Sequence, residues 1–180
     1  QSIMVVMGHL GNWEWAGNTF SICCQHQLYV IYHPLSNKYF NELIIKMRTR
    51  FGTKLIPMKD TLREMLNNRK TLSATAFIAD QSPQPDRAYW MNFLNQDTAV
   101  FLGIEKIALK IRYPVVYVSI KRVKRGYYHL RAERIELPSI ESRPGEITEL
   151  HTKKLEADIR SQPETWLWTH RRWKHTRKTN

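Results

Sequence analysis

IMVVMGHLGNWE, residues 3–14 of the chain, joins an apolar run to a turn with two glycines and then to the start of a helical pattern. The run Ile3–Met7 is typical of a buried strand, and it ends at Gly8. From Gly11 to about Cys24, apolar side chains recur at helical spacing. We therefore predict a strand, a tight corner and a helix, which is the first unit of an α/β sheet.

The next part of the chain continues this alternation with short connections. We predict strands at Gln27–Tyr32, Lys54–Pro57 and Leu72–Ala79, and helices from Ser36 or Asn37 to about Phe51 and from Asp60 to Asn68. Strands and helices that alternate in this way favour a parallel sheet wrapped by helices.

The second half of the chain is more mixed. We predict a strand at Tyr89–Leu94, a helix at Val100–Ile111, an antiparallel hairpin of Pro114–Val123 and Tyr127–Leu137, and an amphipathic helix at Gly145–Ser161. The fold class that follows is α/β, with a mixed, largely parallel central sheet flanked by helices in a single domain. The apolar run that opens the chain is far too short to cross a bilayer.

Charge is concentrated in two segments. The chain has 28 basic and 16 acidic residues, a net charge of +12. Residues 104–134 hold nine basic and two acidic residues, and residues 170–180 hold five basic and no acidic ones. Such segregation indicates an anionic partner, which could be nucleic acid, anionic lipid or a phosphorylated substrate. The alternative is a solvated basic face.

His9 and Glu14 are the candidate catalytic residues. On one straight helix, residues five apart would point roughly 140° away from each other. They can meet if His9 lies in the turn and Glu14 on the first turns of the helix. A carboxylate on one imidazole nitrogen leaves the other nitrogen free as a general base. The alternative is a surface histidine beside an acid that caps the helix.

This corner resembles the HxxxxD/E motif of the glycerolipid and lipid A acyltransferases, within the lysophospholipid acyltransferase superfamily. The chain is most similar to the branch that adds the late, secondary acyl chains to the lipid A precursor. Further segments agree in the expected order, namely YHPLSN at 32–37, ADQ at 79–81, residues 92–103, PVV at 114–116 and PETWLWTHRRWK at 163–174. The resemblance covers essentially the whole chain.

The resemblance implies a transferase that takes an acyl group from acyl carrier protein, or from coenzyme A in some relatives. The implied acceptor is a lipid A precursor or a related glycolipid, on an anionic membrane surface at the cytoplasmic face of the inner membrane. No nucleic acid, metal or cofactor is expected. Residues 1–180 would form the acyltransferase catalytic domain of a fragment that lacks an N-terminal membrane-anchoring part, since the chain opens without Met.

The resemblance also assigns roles to residues. His9 would be the general base, Glu14 its orienting partner, and Asp80 a support for the acceptor side. Where relatives place Arg before Pro, this chain has His33. The charge role of that position is either lost or passed to a neighbouring cation, Arg63 or Lys59.

Two arginines near the end of the chain complete the candidate site. Arg171 and Arg172 follow the histidine of a Trp-x-His-Arg-Arg stretch that the relatives share. They could bind lipid phosphates, or they could cap the last segment of the fold.

Two other functions stay open. An acyltransferase of the same family could act on another glycolipid, such as mannosylated phosphatidylinositol, or on a lysophospholipid. A module that binds anionic surfaces or nucleic acid would also fit the charge and the six tryptophans. Such a module has no need of the corner with His9 and Glu14, which therefore separates the two classes.

Overall fold

A computed structural model of the chain describes residues 1–136 and 143–177. The strands of these ranges are β1 Ile3–Met7, β2 Gln27–Tyr32, β3 Lys54–Pro57, β4 Ser73–Ile78, β5 Ala88–Phe93, β6 Gln96–Phe101, β7 Val115–Lys124 and β8 Tyr127–Ile135. The α-helices are α1 Trp13–Cys23, α2 Lys38–Thr49, α3 Thr61–Asn67, α4 Gly103–Ile111 and α5 Glu146–Ser161. Within the same ranges, no helix has both the length and the apolar character that crossing a bilayer requires.

Six strands form the central sheet in the order β3-β2-β4-β1-β7-β8. The first five run parallel, and β8 pairs antiparallel with β7 at one edge. This confirms the predicted fold class. Strand β1 lies between β4 and β7, with Met7 opposite Ile78. The residues that follow β1 and β4 therefore come out side by side at the carboxyl edge of the sheet, where α/β folds form their ligand crevices.

Both faces of the sheet are covered. The side chains of β1 alternate between these faces and are buried on each of them. Met4 and Val6 pack in the larger core, which includes Leu155 of α5. Val5 and Met7 face the opposite way into two smaller clusters beside α1. The continuous apolar character of β1 is thus explained by burial on both sides.

The sequence prediction for residues 96–111 is only partly right. Gln96–Phe101 forms β6, which pairs antiparallel with β5, and the helix begins only at Gly103. The turn between these strands consists of Leu94 and Asn95, both with positive φ. Because that turn contains no glycine and β6 opens with polar residues, the usual hairpin signal is missing.

The predicted hairpin of β7 and β8 is confirmed. The two strands pair from Val115 with Ile135 to Lys124 with Tyr127. The predicted end of the second strand, Leu137, lies outside the described residues.

Candidate active site

The corner between β1 and α1 has the tight geometry that the sequence predicted. Gly11 has a φ of +54°, a left-handed conformation that suits glycine. Asn12 caps α1, since its side-chain oxygen accepts a hydrogen bond from the N–H of Trp15. At Gly8, a Cβ would overlap the side chain of Leu155. A larger residue here would require the buried side chain of Leu155 to move.

His9 is held by Asp80, the residue two positions after β4. Nδ1 of His9 lies 2.6 Å from Oδ1 of Asp80, and the backbone N–H of His9 donates to Oδ2 at 2.9 Å. An ionised carboxylate can only accept, so Nδ1 carries a proton, and in the neutral imidazole the lone pair is on Nε2. The side chain of His9 is 14% exposed, and its Nε2 has no hydrogen-bond partner among the described residues. Nε2 is thus available to an incoming group.

Asp80 is buried, yet it stays ionised. Burial, the largest single influence, raises the pKa of its carboxyl group, and the hydrogen bond and positive charge of His9 oppose it. The backbone N–H of His9 and the indole N–H of Trp166, 2.8 Å from Oδ2, add to this lowering. The net result is a pKa below the usual value of an aspartate. Asp80 is therefore a fixed negative charge behind the imidazole.

The C-terminal segment closes the other side of the corner. The N–H of Leu167 donates to the carbonyl of His9 at 3.2 Å, and the N–H of Gly11 donates to the carbonyl of Thr165 at 3.0 Å. Trp166 is buried and packs edge-on against Phe93. The tryptophan motif near the end of the chain thus belongs to the site. Trp166 is thus part of the hydrophobic core.

Glu14 contacts a different residue from the one that the sequence led us to expect. Its carboxylate accepts from Arg48 of α2, with Nη2 to Oε1 at 2.6 Å and Nε to Oε2 at 3.0 Å. It also accepts from the indole N–H of Trp13 at 3.2 Å. Trp13 in turn packs edge-on against His9, with ring centroids 5.0 Å apart. The carboxylate on the imidazole is therefore Asp80, and Glu14 reaches His9 only through Trp13.

Of the two C-terminal arginines, Arg172 is built into the site and Arg171 is exposed. Arg172 is buried, donates to the carbonyl of Ala99 at 2.7 Å and to Oγ of Ser82 at 3.3 Å, and lies over the ring of Phe93. Burial lowers its pKa to about 10, so it remains charged at neutral pH. These contacts favour a structural role for Arg172, while Arg171 stays a candidate for phosphate binding.

His170 is a neighbour of the site that the sequence analysis assigned no function. Its Nε2 accepts from the backbone N–H of Ser82 at 3.3 Å. Burial and the positive charges of Lys174 and Arg172 lower its pKa, so it is neutral at physiological pH.

The remaining two candidates make their contacts away from this cluster. Nδ1 of His33 donates to the carbonyl of Pro34 at 2.9 Å, in the exposed segment after β2. Arg63 of α3 is exposed and pairs with Asp60 and Glu64 at its own helix. A substrate-binding role for either residue stays a prediction.

Two apolar clefts flank the sheet. The first lies between α1 and the sheet, has an empty volume of about 670 Å³, and includes Met7, Trp13 and Phe20 in its lining. The second, of about 690 Å³, lies on the side of α3 and α4 and includes Phe77, Phe101 and Ile104. Only the first is lined by a residue in contact with His9, namely Trp13.

No group of three or more histidine, cysteine, aspartate or glutamate side chains within residues 1–136 and 143–177 is arranged to hold a metal ion. The arrangement that is present is a histidine oriented by a buried carboxylate at the carboxyl edge of a parallel sheet. Such a pair activates a hydroxyl group by taking its proton.

The sequence profile described as bacterial lipid A biosynthesis acyltransferase matches residues 1–175. The chain belongs to this family, which confirms the resemblance drawn from its motifs. Membership supports acyl transfer in lipid A biosynthesis as the activity of the chain. No curated protein matches the chain in sequence.

Sequence reasoning missed the role of Asp80 beside His9. A signal was available, because Asp80 directly follows a predicted strand in the same way that His9 follows β1. In a parallel sheet, residues at these positions meet if their strands are neighbours. That β4 is the neighbour of β1 is a matter of strand order, which the sequence does not reveal.

Proposed function

We propose that the protein transfers a fatty acyl chain from acyl carrier protein, or from coenzyme A, to a hydroxyl group of a lipid A precursor. We further propose Nε2 of His9 as the general base. The observation that supports this proposal is the contact between His9 and Asp80, which occupies Nδ1 and leaves Nε2 without a partner among the described residues. The family of the chain supplies the reaction class.

The chemical step is direct attack of the acceptor on the donor. Nε2 of His9 takes the proton of the acceptor hydroxyl while its oxygen forms a bond to the thioester carbonyl carbon. The tetrahedral intermediate collapses, the carbon–sulfur bond breaks, and the leaving thiolate takes the proton from the imidazolium. The products are the acylated glycolipid and the free thiol of the donor, and His9 returns to its starting state.

Asp80 stabilises the imidazolium that forms in this step. Its low pKa keeps it negative when a positive charge appears 2.6 Å away. Trp166 holds the carboxylate in place by donating to Oδ2. In this proposal Glu14 is a positioning residue, which fixes Trp13 against His9 through its pair with Arg48.

The cleft between α1 and the sheet is our candidate for the site of the acyl chain. It is lined mostly by apolar side chains, among them Val5, Met7 and Phe20. Trp13 lies in its wall and contacts His9, so a thioester at Nε2 could place its hydrocarbon tail there. Each buried methylene contributes roughly 0.8 kcal/mol, so such a cleft would select chain length.

The setting of the reaction is part of the proposal. Residues 1–180 act as one acyltransferase domain at the cytoplasmic face of the inner membrane. Arg171, which is exposed beside the buried Arg172, is the candidate for a phosphate of the acceptor. Arg63 and His33 remain candidates for the acceptor side.

The test uses membranes that carry the protein as wild type, His9→Ala or His26→Ala. His26 is the matched control, because it is only half-buried and bonds only to the carbonyl of Gln1 among the described residues. Labelled acyl-acyl carrier protein and a tetra-acylated lipid A precursor are supplied, and products are read by mass spectrometry. A gain of one acyl chain with wild type and His26→Ala, but not with His9→Ala, supports the proposal.

Two results would count against it. Turnover of His9→Ala close to that of wild type would refute the general-base assignment. No gain with folded wild type would remove lipid A precursor as the acceptor, and other glycolipids would then be tried with the same variants.

A further inference from the structure

Helix α2 shows large apolar side chains to solvent. It has no buried residue, although it carries Tyr39, Phe40, Leu43 and Met47. We call these four residues the α2 outer stripe. Tyr39, Phe40 and Leu43 are 71%, 61% and 58% exposed, far more than a helix that covers a core would allow. The helix therefore does not gain its stability by burying these side chains.

The α2 outer stripe is one continuous face of the helix. Residues 39, 43 and 47 are four apart, so their side chains lie one above another, and residue 40 lies beside them. The face turned to the protein carries Ile44 and Ile45, both half-buried, and Arg48. The amphipathic pattern of an ordinary surface helix is thus inverted, because the bulkier apolar side chains point outward.

Cations accompany this stripe. Lys38, Lys46 and Arg50 are exposed, and none of them forms an ion pair within residues 1–136 and 143–177. Nζ of Lys38 lies 5.0 Å from the ring of Tyr39, and the guanidinium of Arg50 lies 5.8 Å from the ring of Phe51, which is itself exposed. Aromatic rings beside unpaired lysine and arginine are the composition found at the headgroup level of a bilayer.

We propose that α2 lies on an anionic lipid bilayer, with the α2 outer stripe inserted at the boundary between headgroups and acyl chains. Lys38, Lys46 and Arg50 would then face lipid phosphates. The inference rests on the proposed function for the location of the substrate, and it adds which surface of the chain meets the membrane. The basic segments 104–134 and 170–180 were the sequence-based candidates for that surface.

The position of α2 gives this docking a consequence for the reaction. Arg48, on the inner face of α2, pairs with Glu14, five residues after His9. Both residues also line the apolar cleft beside α1. A bilayer under α2 would therefore lie next to the cleft and the catalytic corner, so an acceptor lipid would have a short path to Nε2 of His9.

A membrane fits this stripe better than the other occupants do. A second copy of the chain would bring Lys38, Lys46 and Arg50 of each copy towards each other, and like charges oppose that contact. An acidic protein partner would satisfy the cations, but it would leave four large apolar side chains to be covered. A bilayer with anionic headgroups matches both the charge and the apolar stripe.

The experiment measures co-sedimentation of the 180-residue chain with phosphatidylcholine vesicles, with or without phosphatidylglycerol. The variants are F40S/L43S in the stripe and K46E/R50E beside it. The matched control is I22S/L109S, which changes two exposed apolar residues near the C-terminal ends of α1 and α4. Circular dichroism and Tm verify that each variant is folded.

We expect F40S/L43S to lower the partition coefficient between vesicles and water about tenfold or more, because two apolar side chains no longer insert into the bilayer. K46E/R50E should lose the preference for phosphatidylglycerol, and I22S/L109S should stay within about twofold of wild type. With detergent-dispersed substrate, F40S/L43S should keep its transfer rate, since the catalytic corner is intact.

Several outcomes would overturn the inference. F40S/L43S could bind vesicles as well as wild type does, or wild type could fail to bind vesicles. F40S/L43S could instead change the mass of the protein in solution, or lose binding to acyl carrier protein while its vesicle binding is unchanged. The last two would assign the stripe to a second copy or to a protein partner. Absence of transfer by wild type together with stripe-dependent vesicle binding would refute the proposed function and leave the docking surface standing.

Discussion

The imidazole of His9 and the carboxylate of Asp80 lie 2.6 Å apart, although 71 positions separate the two residues in the chain. The contact exists because β1 and β4 are parallel neighbours, so the residues that follow them leave the sheet at the same edge. Asp80 also accepts from the backbone N–H of His9, which fixes the turn as well as the ring. One carboxylate thus sets both the position and the ring orientation of His9.

Asp80→Asn should reduce transfer strongly. An amide can donate to Nδ1 and so favour the tautomer with the proton on Nε2, where it blocks proton removal from the acceptor. We expect a loss of about 10²–10⁴-fold in kcat, similar to that of His9→Ala. Asp86→Asn, at an exposed position, is the control. A kcat within about threefold of wild type would mean that Asp80 does not orient the base.

Glu14→Gln and Arg48→Met should each lower transfer less than His9→Ala, about tenfold. Each variant breaks the bidentate pair and loosens Trp13, but leaves the proton-transfer group in place. Because the two residues act as a unit, the double variant should cost no more than the worse single variant. Kinetics of all three variants measure this. Additive losses would indicate separate functions for Glu14 and Arg48.

Gly8→Ala should destabilise the protein by about 1–3 kcal/mol, because the new methyl group overlaps Leu155. The free energy of unfolding in denaturant measures the effect. Gly17→Ala, inside α1, is the matched control, since its Cβ would meet only Leu28 at 3.9 Å. That variant should gain roughly 0.5–1 kcal/mol through helix propensity. Equal effects of the two substitutions would contradict the close approach at Gly8.

Stability should fall on acidification because of His151 on α5. Burial lowers the pKa of this histidine to about 4 from the ordinary 6.5. The unfolded state therefore binds the proton first, and stability that is fully present above pH 6.5 is lost as the pH falls towards 4. The loss is about 3 kcal/mol, from 1.36 kcal/mol per pKa unit.

Denaturant unfolding at pH 7 and pH 4.5 measures this loss. His151→Leu should remove most of the pH dependence, and it leaves no polar atom in place of Nε2, which lacks a partner among the described residues. His26→Leu, at a half-buried position, should keep the dependence of wild type. An unchanged pH dependence in His151→Leu would assign the titration to another group.

Local signals in the sequence were enough for much of the fold. β2 and β3 begin and end where predicted, because a proline or a change of polarity bounds each of them. The strand β6 was missed because its turn uses Leu94 and Asn95 at positive φ, where glycine would have given a signal. The helix α4 was then predicted to start too early.

Local sequence was enough to single out His9 as a candidate base, but not to predict the contacts of the site. His9 could be selected because it is a polar residue just after a buried strand, and recognising such a residue needs only local sequence. The partner of Glu14 is 34 positions away on α2, and that of His9 is 71 positions away. No sequence pattern marks pairs at these separations, because strand order and helix packing decide which carboxylate reaches which cation. From the sequence, Glu14 was therefore paired with His9, the nearest candidate in the chain.

The catalytic corner is assembled from the start, the middle and the last part of the chain. Backbone hydrogen bonds join His9 to Leu167 and Gly11 to Thr165, and Trp166 holds Asp80. During translation the residues of β1 emerge before those of β4, yet their corner lacks its closing segment until residue 167 has left the ribosome. In nascent chains and prematurely terminated products, His9 would therefore lack the contacts that residues 165–167 provide. The proposed acyl transfer would begin only with a polypeptide whose synthesis has passed that point.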